Sequence, residues 1–295
     1  MTKVSVIIPA YNVQETIKEC LESVLGNDYQ DFEVIVVDDK SIDDTLEILE
    51  NISHEKLRYY SNRINSGVSY TRNFGIRKSR GNLVILLDAD TLVKKDWIIR
   101  HLEAHRDIQA DLIGGGVMGI YKTIYGAADT FSSWWTSIPF GKDYYLKRFH
   151  LPTNNLSIKK EVFKKIGYFK DDLRLGGEDA EFCFRALKND LKLYLKSDIV
   201  VYHYDRDDLN SFLKHQAHWG KHTVKMRKEL NMDMAFFMPG SLIAAYFYII
   251  PLAILYTSFI VMKWIRFRPS VLLYSPLIFL GKIKASIEIK NSFKK

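Results

Sequence analysis

Short β-branched runs alternate with stretches of helical period from the start of the chain, and this alternation narrows the fold to a layered α/β sheet. Val4-Ser5-Val6-Ile7-Ile8 reads as a first strand, followed by a helix over Glu15 to Leu25 with Ile17, Leu21, Val24 and Leu25 on one face. Phe32 to Val37 reads as a second strand ending in the turn Asp38-Asp39-Lys40-Ser41. A short helix follows, started by Ser41, Asp43 and Asp44. Leu57 to Tyr60, a helix over Val68 to Lys78 and the strand Leu83 to Leu87 continue the pattern. The spacing predicts a mainly parallel sheet with helices on both faces.

The strand at Leu83 stops on Asp88-Ala89-Asp90. Ligands of open α/β sheets bind at the carboxyl edge, where such a strand delivers its acids. Alternation aims Asp88 and Asp90 the same way, with Ala89 leaving room between them. Paired hard oxygens suit Mg²⁺ or Mn²⁺ bridging to a phosphate; the plainer reading is an acidic turn at a strand end. Past Asp96 the period loosens through Gly114-Gly115-Gly116 and the aromatics Phe131, Trp134, Trp135 and Phe140. It sharpens again at the strand Asn155 to Ile158, a helix opened by Gly177-Glu178-Asp179, and the strands Leu193 to Leu195 and Ile199 to Tyr202.

The 295 residues allow one large or two small domains, and the net charge is +7. Cys20 and Cys183, both in helical segments, read as small core residues of a reducing compartment. The first strand begins at once, so no signal peptide is expected and the catalytic part is placed in the cytoplasm. From Phe236 to Met262 there is no charged residue, a run long enough to cross a bilayer core about 30 Å thick. Pro251 could instead kink the run into a hairpin. Lys263, Arg266, Arg268, Lys282, Lys284, Lys290, Lys294 and Lys295 crowd the end against the single acid Glu288. That asymmetry favours an anionic membrane surface, and nucleic acid is not expected as a partner. The expected division is a catalytic domain over 1–230 and a membrane-associated helical segment over 231–295, with the number of crossings open.

Five short motifs stand in a recognisable order: Val4 to Asn12, Val36-Val37-Asp38-Asp39-Lys40-Ser41, Asn65-Ser66-Gly67 with Thr71-Arg72-Asn73, Leu87-Asp88-Ala89-Asp90, and Gly177-Glu178-Asp179. Over residues 3 to 225 the chain resembles the family 2 glycosyltransferases, which have the GT-A nucleotide-sugar-binding fold. The resemblance implies that Pro9, Ala10 and Tyr11 border the nucleotide, with Asp39 on the base and Asp38 near the ribose. It places Arg72, Asp88 and Ala89 in the nucleotide-sugar pocket. It implies Asp88 and Asp90 as metal ligands for Mn²⁺ or Mg²⁺, joined by His203, and Asp179 as catalytic base with Glu178 orienting the acceptor. Lys40 departs from the small residue usual at its place. For the Asp38-Asp39 pair a capping turn is the plainer reading, for Arg72 a surface ion pair, and for His203 a structural histidine.

His215, His218 and His222 follow at near-helical spacing and read as a solvated or phosphate-facing helix surface more readily than as a second metal site. Gln216-Ala217-His218-Trp219 resembles the Gln-x-x-Arg-Trp signature of processive relatives but lacks the Arg, so transfer of one or a few sugars is expected. Trp134, Trp135 and Phe140 suit either an acceptor sugar or lipid, or core packing. The expected activity is inverting, metal-dependent transfer from a nucleoside-diphosphate sugar to a lipid-linked or membrane-proximal acceptor. It would serve cell-surface polysaccharide or glycan assembly on the cytoplasmic face of a membrane. The alternative is a catalytically silent nucleotide-sugar-binding membrane scaffold.

Overall fold

The computed structural model describes residues 3–147, 150–171, 177–221, 243, 247 and 249–292, and the backbone alone of 222–229. Strands β1 (Val4–Ala10), β2 (Phe32–Asp38), β3 (Leu57–Ser61) and β4 (Leu83–Leu86) form the parallel half of a nine-stranded sheet. Helices α1 (Ile17–Leu25), α2 (Thr45–Glu50) and α3 (Val68–Lys78) provide its crossovers. The remaining strands are β5 (Thr91–Val93), β6 (Leu112–Ile120), β7 (Tyr144–Tyr145), β8 (Leu156–Lys159) and β9 (Leu193–Tyr204). Strand order is β3-β2-β1-β4-β8-β6-β9-β5, with β7 paired to β9.

The sheet is mixed, which corrects the expectation of a mainly parallel one. Beyond the parallel strands, β8 pairs antiparallel with both β4 and β6, and β5 pairs antiparallel with β9. The parallel prediction came from the first four strands, where helices α1 to α3 intervene. Beyond them the strands are joined by less regular chain that periodicity does not resolve. Gly114-Gly115-Gly116 lies inside β6, although glycine disfavours strands. A Cβ on Gly115 would sit 2.1 Å from both Asn155 Nδ2 and the Ile199 carbonyl oxygen, so only the bare backbone allows this approach.

One face of the sheet packs Ile7, Val37, Val84, Leu86, Leu156 and Ile158 against α3, α6 (Lys160–Ile166) and α7 (Glu178–Lys188), from which Ile76, Phe163 and Phe182 join the cluster. On the other face α4 (Trp97–Asp107) is fastened through Asn155. The Asn155 Oδ1 accepts from Trp97 Nε1 and lies against His101 Nε2, both at 3.0 Å. Burial depresses the His101 pKa to about 3, so the ring is neutral. Cys20 and Cys183 are both buried and unbridged, as expected of core thiols.

Packing divides the chain into two compact units. One comprises 1–118, 139–174 and 178–203; the other comprises 119–138, 175–177 and 204–295. The second unit is helical. It joins α5 (Ile124–Ser133) to α8 (Leu209–Glu229), α9 (Ile249–Trp264) and α10 (Val271–Ser292). The chain turns between α9 and α10 at residues 265–270, where Arg268 N–H donates to the Trp264 carbonyl at 2.7 Å. The described reversal is thus here and not at Pro251, through which the described residues of α9 continue as helix. Among the described residues no helix is long and apolar enough to cross a membrane. The described stretch of α9 spans 16 residues, and α10 carries Lys282, Lys284, Glu288 and Lys290 in its second half. Much of the apolar run from Phe236 to Tyr248 lies outside the described residues.

His215 corrects the expectation of a solvated histidine face. Its Nδ1 lies 2.8 Å from the fully buried Asp129, and its Nε2 accepts from Trp219 Nε1 at 2.9 Å. Gln216 is buried too, donating to Asp129 and accepting from Lys282 Nζ at 2.7 Å. Burial lowers the Lys282 pKa to about 8 against the attraction of Asp129. Trp134 donates to Asp205 and is buried, and Trp135 meets Phe259 edge-on, so both indoles pack inside the helical unit. Phe140 remains exposed. The His222 side chain lies outside the described residues.

Replacing Gly115 with Ala should force β6 away from Asn155 and Ile199 and destabilise the fold by about 3 kcal/mol. Thermal or urea unfolding of G115A measures it; an unchanged midpoint would contradict the close approach.

Candidate active site

The carboxyl ends of β1, β2 and β4 open on one edge, and the loops there brace each other. Asn12 adopts φ +52°, a left-handed conformation that asparagine tolerates. Its N–H donates to Ser41 Oγ at 3.0 Å, and its Oδ1 accepts from Ile42 N–H at 2.9 Å. Gln14 N–H donates to Asp43 Oδ2 at 3.2 Å and Gln14 Oε1 accepts from Asp44 N–H at 3.0 Å, between the same loops. Pro9 is half-buried, Ala10 buried and Tyr11 exposed along this rim. Lys40 is exposed with φ +63°, which gives a physical reason for a small residue at this place.

Asp38 and Asp39 are buried, and neither caps α2 with its side chain. Asp38 accepts from Ser41 N–H at 3.1 Å and Ser61 Oγ at 2.7 Å. Asp39 accepts from Asn62 Nδ2 at 2.7 Å, Ser66 N–H at 2.8 Å and Gly67 N–H at 2.7 Å. The acidic pair therefore shapes the Asn62–Gly67 loop that leads into α3. Thr71, Arg72 and Asn73 then point three ways from one helical turn. Thr71 Oγ1 accepts from Asn62 Nδ2, and Asn73 donates to the Phe169 carbonyl and to Asp171.

Arg72 points into the sheet edge. Its guanidinium donates to Asp88 Oδ1 at 2.8 Å and to Glu178 Oε1, with only 4% of its side chain exposed. It is an ion pair, as the plainer reading had it, but a buried one. Burial works against its charge; Asp88 and Glu178 outweigh this and leave the guanidinium pKa raised. Burial likewise raises the Glu178 pKa, opposed by Arg72 and reinforced by the neighbouring Asp179.

Asp88, buried Ala89 and Asp90 lie between β4 and β5, and β5 pairs antiparallel with β9 so that Thr91 faces His203. That register brings His203 Nε2 to 3.2 Å from Asp90 Oδ1. One ligand atom from each of Asp88, Asp90 and His203 falls within 4.8 Å of the others, the one such group among the described residues. Two carboxylates and an imidazole are consistent in donor chemistry with a divalent cation such as Mn²⁺ or Mg²⁺. The metal-site residues named from the sequence are thus brought together, and Arg72 links Asp88 to Glu178.

Asp179 opens α7, where its Oδ1 accepts from Ala180 N–H at 2.7 Å. Its Oδ2 lies 3.4 Å from His150 Nε2. His150 was not visible from sequence, being a lone histidine in a stretch of weak periodicity. Its place follows from Leu151, whose N–H donates to Cys183 Sγ at 3.4 Å and ties this segment to α7. Burial pushes the Cys183 thiol up to about 12, leaving it an uncharged packing group.

A family model described as glycosyl transferase family 2 matches residues 5–167, more than half of the chain. The glycosyltransferase AglE of Haloferax volcanii is 32% identical over 227 residues, covering 76% of this chain and 73% of its own. A Methanococcus voltae dolichyl N-acetyl-α-D-glucosaminyl phosphate 3-β-D-2,3-diacetamido-2,3-dideoxy-β-D-glucuronosyltransferase is 25% identical, covering 75% of this chain and 72% of its own. The solved mannosyltransferase PcManGT of Pyrobaculum calidifontis, in complex with GDP-Man and Mn²⁺, superposes with a TM-score of 0.62 at 17% identity. That match covers 98% of this chain and 87% of the solved one. Staphylococcus aureus TarS with UDP-GlcNAc gives 0.55 at 19% identity, over 99% and 90% of the two chains. Sequence and fold agree, and the chain belongs to glycosyl transferase family 2 as a glycosyltransferase.

Proposed function

We propose that the enzyme is an inverting, metal-dependent glycosyltransferase that moves a sugar from a nucleoside-diphosphate donor to a lipid-linked or membrane-proximal acceptor. The observation that carries this is the meeting at one sheet edge of the Asp88–Asp90–His203 group and the buried Arg72–Glu178 pair beside Asp179. A carboxylate accepts about four hydrogen bonds. The three on Asp39 leave it one acceptor direction for a nucleobase N–H. Asp38, Pro9, Ala10 and Tyr11 would border the ribose and base, with Asp88 and Ala89 beneath the diphosphate.

A divalent cation held by Asp88, Asp90 and His203 would supply Lewis-acid stabilisation of the departing diphosphate. Arg72 would add fixed positive charge at the same place, already desolvated and oriented by two carboxylates. Asp179 would take the proton of the acceptor hydroxyl or phosphate as it attacks the anomeric carbon. A single displacement of this kind inverts the anomeric configuration. Glu178, held by Arg72, would fix the acceptor's approach.

The membrane side of the proposal draws on the relative named for a dolichyl phosphate-linked sugar. It also draws on the outer face of the α9–α10 pair. Phe247, Ile250, Ile254, Met262 and Ile265 recur at helical spacing on an exposed stripe, and Leu272 and Leu273 continue it past the exposed Arg266 and Arg268. An apolar stripe edged by cations suits an anionic leaflet, entered from its surface on the cytoplasmic side.

Nucleoside diphosphate release from a panel of sugar donors should require Mn²⁺ or Mg²⁺ and stop with EDTA. Asp179→Asn should lower turnover about 10²–10⁴-fold while leaving donor binding intact. Donor binding without release by the unaltered enzyme would favour the silent scaffold. His203→Ala should weaken Mn²⁺ binding about tenfold or more, read by the Mn²⁺ concentration that half-restores turnover; no change would remove His203 from the ligand set. Co-sedimentation with phosphatidylglycerol-containing vesicles should fall on raising salt and in the double variant Ile254→Asp, Leu273→Asp; equal binding to neutral vesicles would count against an anionic leaflet.

A further inference from the structure

Three acids stand in the first turn of α7, and the structure gives each a different partner. Glu178 pairs with Arg72, and Glu181 with Arg185 at 2.7 Å. Among the described residues Asp179 meets a histidine instead: its Oδ2 lies 3.4 Å from His150 Nε2, while its Oδ1 accepts from Ala180 N–H. Two contacts of the next residue fix that meeting. Leu151 N–H donates to Cys183 Sγ, and Cys183 stands four residues after Asp179, on the same face of the helix. Adjacent residues of one segment thus reach successive turns of α7. On its other side Leu151 fills the space left by Gly114 of β6, where a Cβ would lie 2.7 Å from Leu151 Cδ2. The side chains of His150 and Asp179 remain 19% and 14% exposed, so the pair is not sealed inside the core.

On the reading of Asp179 as catalytic base, we infer that His150 is its positioning residue, donating Nε2–H to Oδ2 and holding the carboxylate in one orientation for proton uptake. The 3.4 Å separation is long for a hydrogen bond, as such contacts commonly are before substrate closes the site. An arginine in this place would grip the carboxylate with a permanent charge and weaken it as a base. Histidine is the cationic side chain that sheds its charge near neutral pH. In its neutral form it still donates one N–H, which orients an anion without cancelling its charge. With Oδ1 on Ala180 N–H and Oδ2 on His150, rotation of the carboxylate is arrested, and each oxygen keeps a lone pair for the incoming proton. That proton passes from the acceptor to Asp179, and His150 gains none.

The full-length enzyme with Mn²⁺ is assayed for nucleoside diphosphate release from UDP-GlcNAc, UDP-glucose and GDP-mannose, with water as the acceptor. His150→Ala should lower kcat about tenfold and leave the donor KM within about twofold. His150→Gln keeps an N–H at the place of Nε2 and should recover turnover to within about threefold of the unaltered enzyme. Adding His150→Ala to Asp179→Asn should slow that variant no further, because the histidine acts only through the carboxylate. Unchanged kcat in His150→Ala, a loss carried by KM, or a Gln variant no faster than Ala would each overturn the role of His150. So would an equal slowing with and without Asp179, or melting points that fall in step with turnover in both variants. Full turnover by Asp179→Asn would instead overturn the base reading beneath it, and an unaltered enzyme that releases nothing from the three donors would overturn both.

Discussion

The buried guanidinium of Arg72 is the contact on which the rest of the site depends. Asp88 belongs to the end of β4 and Glu178 to the start of α7, two elements far apart in sequence. Glu178 comes out of water while Asp88 keeps 30% of its side chain exposed, and the two would repel each other without the cation between them. Removing one partner of such a desolvated pair costs several kcal/mol, because the remaining charge stays buried. The pair therefore sets where α7 begins relative to the sheet edge, and with it where Asp179 stands. Asn73, one residue on, holds the 169–171 segment that leads toward α7. One turn of α3 thus governs both sides of the site.

A second constraint comes from register. The short strand β5 follows Asp90 directly and pairs with β9, and a one-residue slip would turn His203 to the opposite face. The grouping of Asp90 with His203 is in this sense a property of strand pairing. The close passage of β6 past Asn155 and Ile199, possible only with glycine at 115, keeps this antiparallel half compact. The helical unit holds its own buried polar set of Asp129, His215, Gln216 and Lys282, with charges neutralised locally.

Much of the site was legible in the residues. Asp88 and Asp90 could be named as acids behind a strand, although the strand ends at Leu86 and it is a turn at Ala89–Asp90, not alternation, that gathers them. The helix at Val68 to Lys78 and the strand at Leu83 follow from apolar period, and both stand as read. His203 could be nominated only through family resemblance, since a lone histidine after a strand carries no local signal. His150 gave none, because its significance lies in the approach of Asp179 from α7. His215 of α8 misled for the same reason, while His218 is exposed as expected: spacing reports which residues share a face, but not whether each meets water or a buried aspartate.

By itself the sequence determined the strand–helix alternation, the acids at the tip of β4, the acidic opening of α7 and the apolar, cation-edged end. All of these are written in residue period and in the chemistry of single side chains. Tertiary structure alone decided the mixed order of the sheet, the joining of Asp88 to Glu178 through Arg72, the meeting of His203 with Asp90 and the folding of α10 back against α9. Those depend on strand register and packing between distant segments, where the free energy comes from pairs of residues that no local pattern brings together.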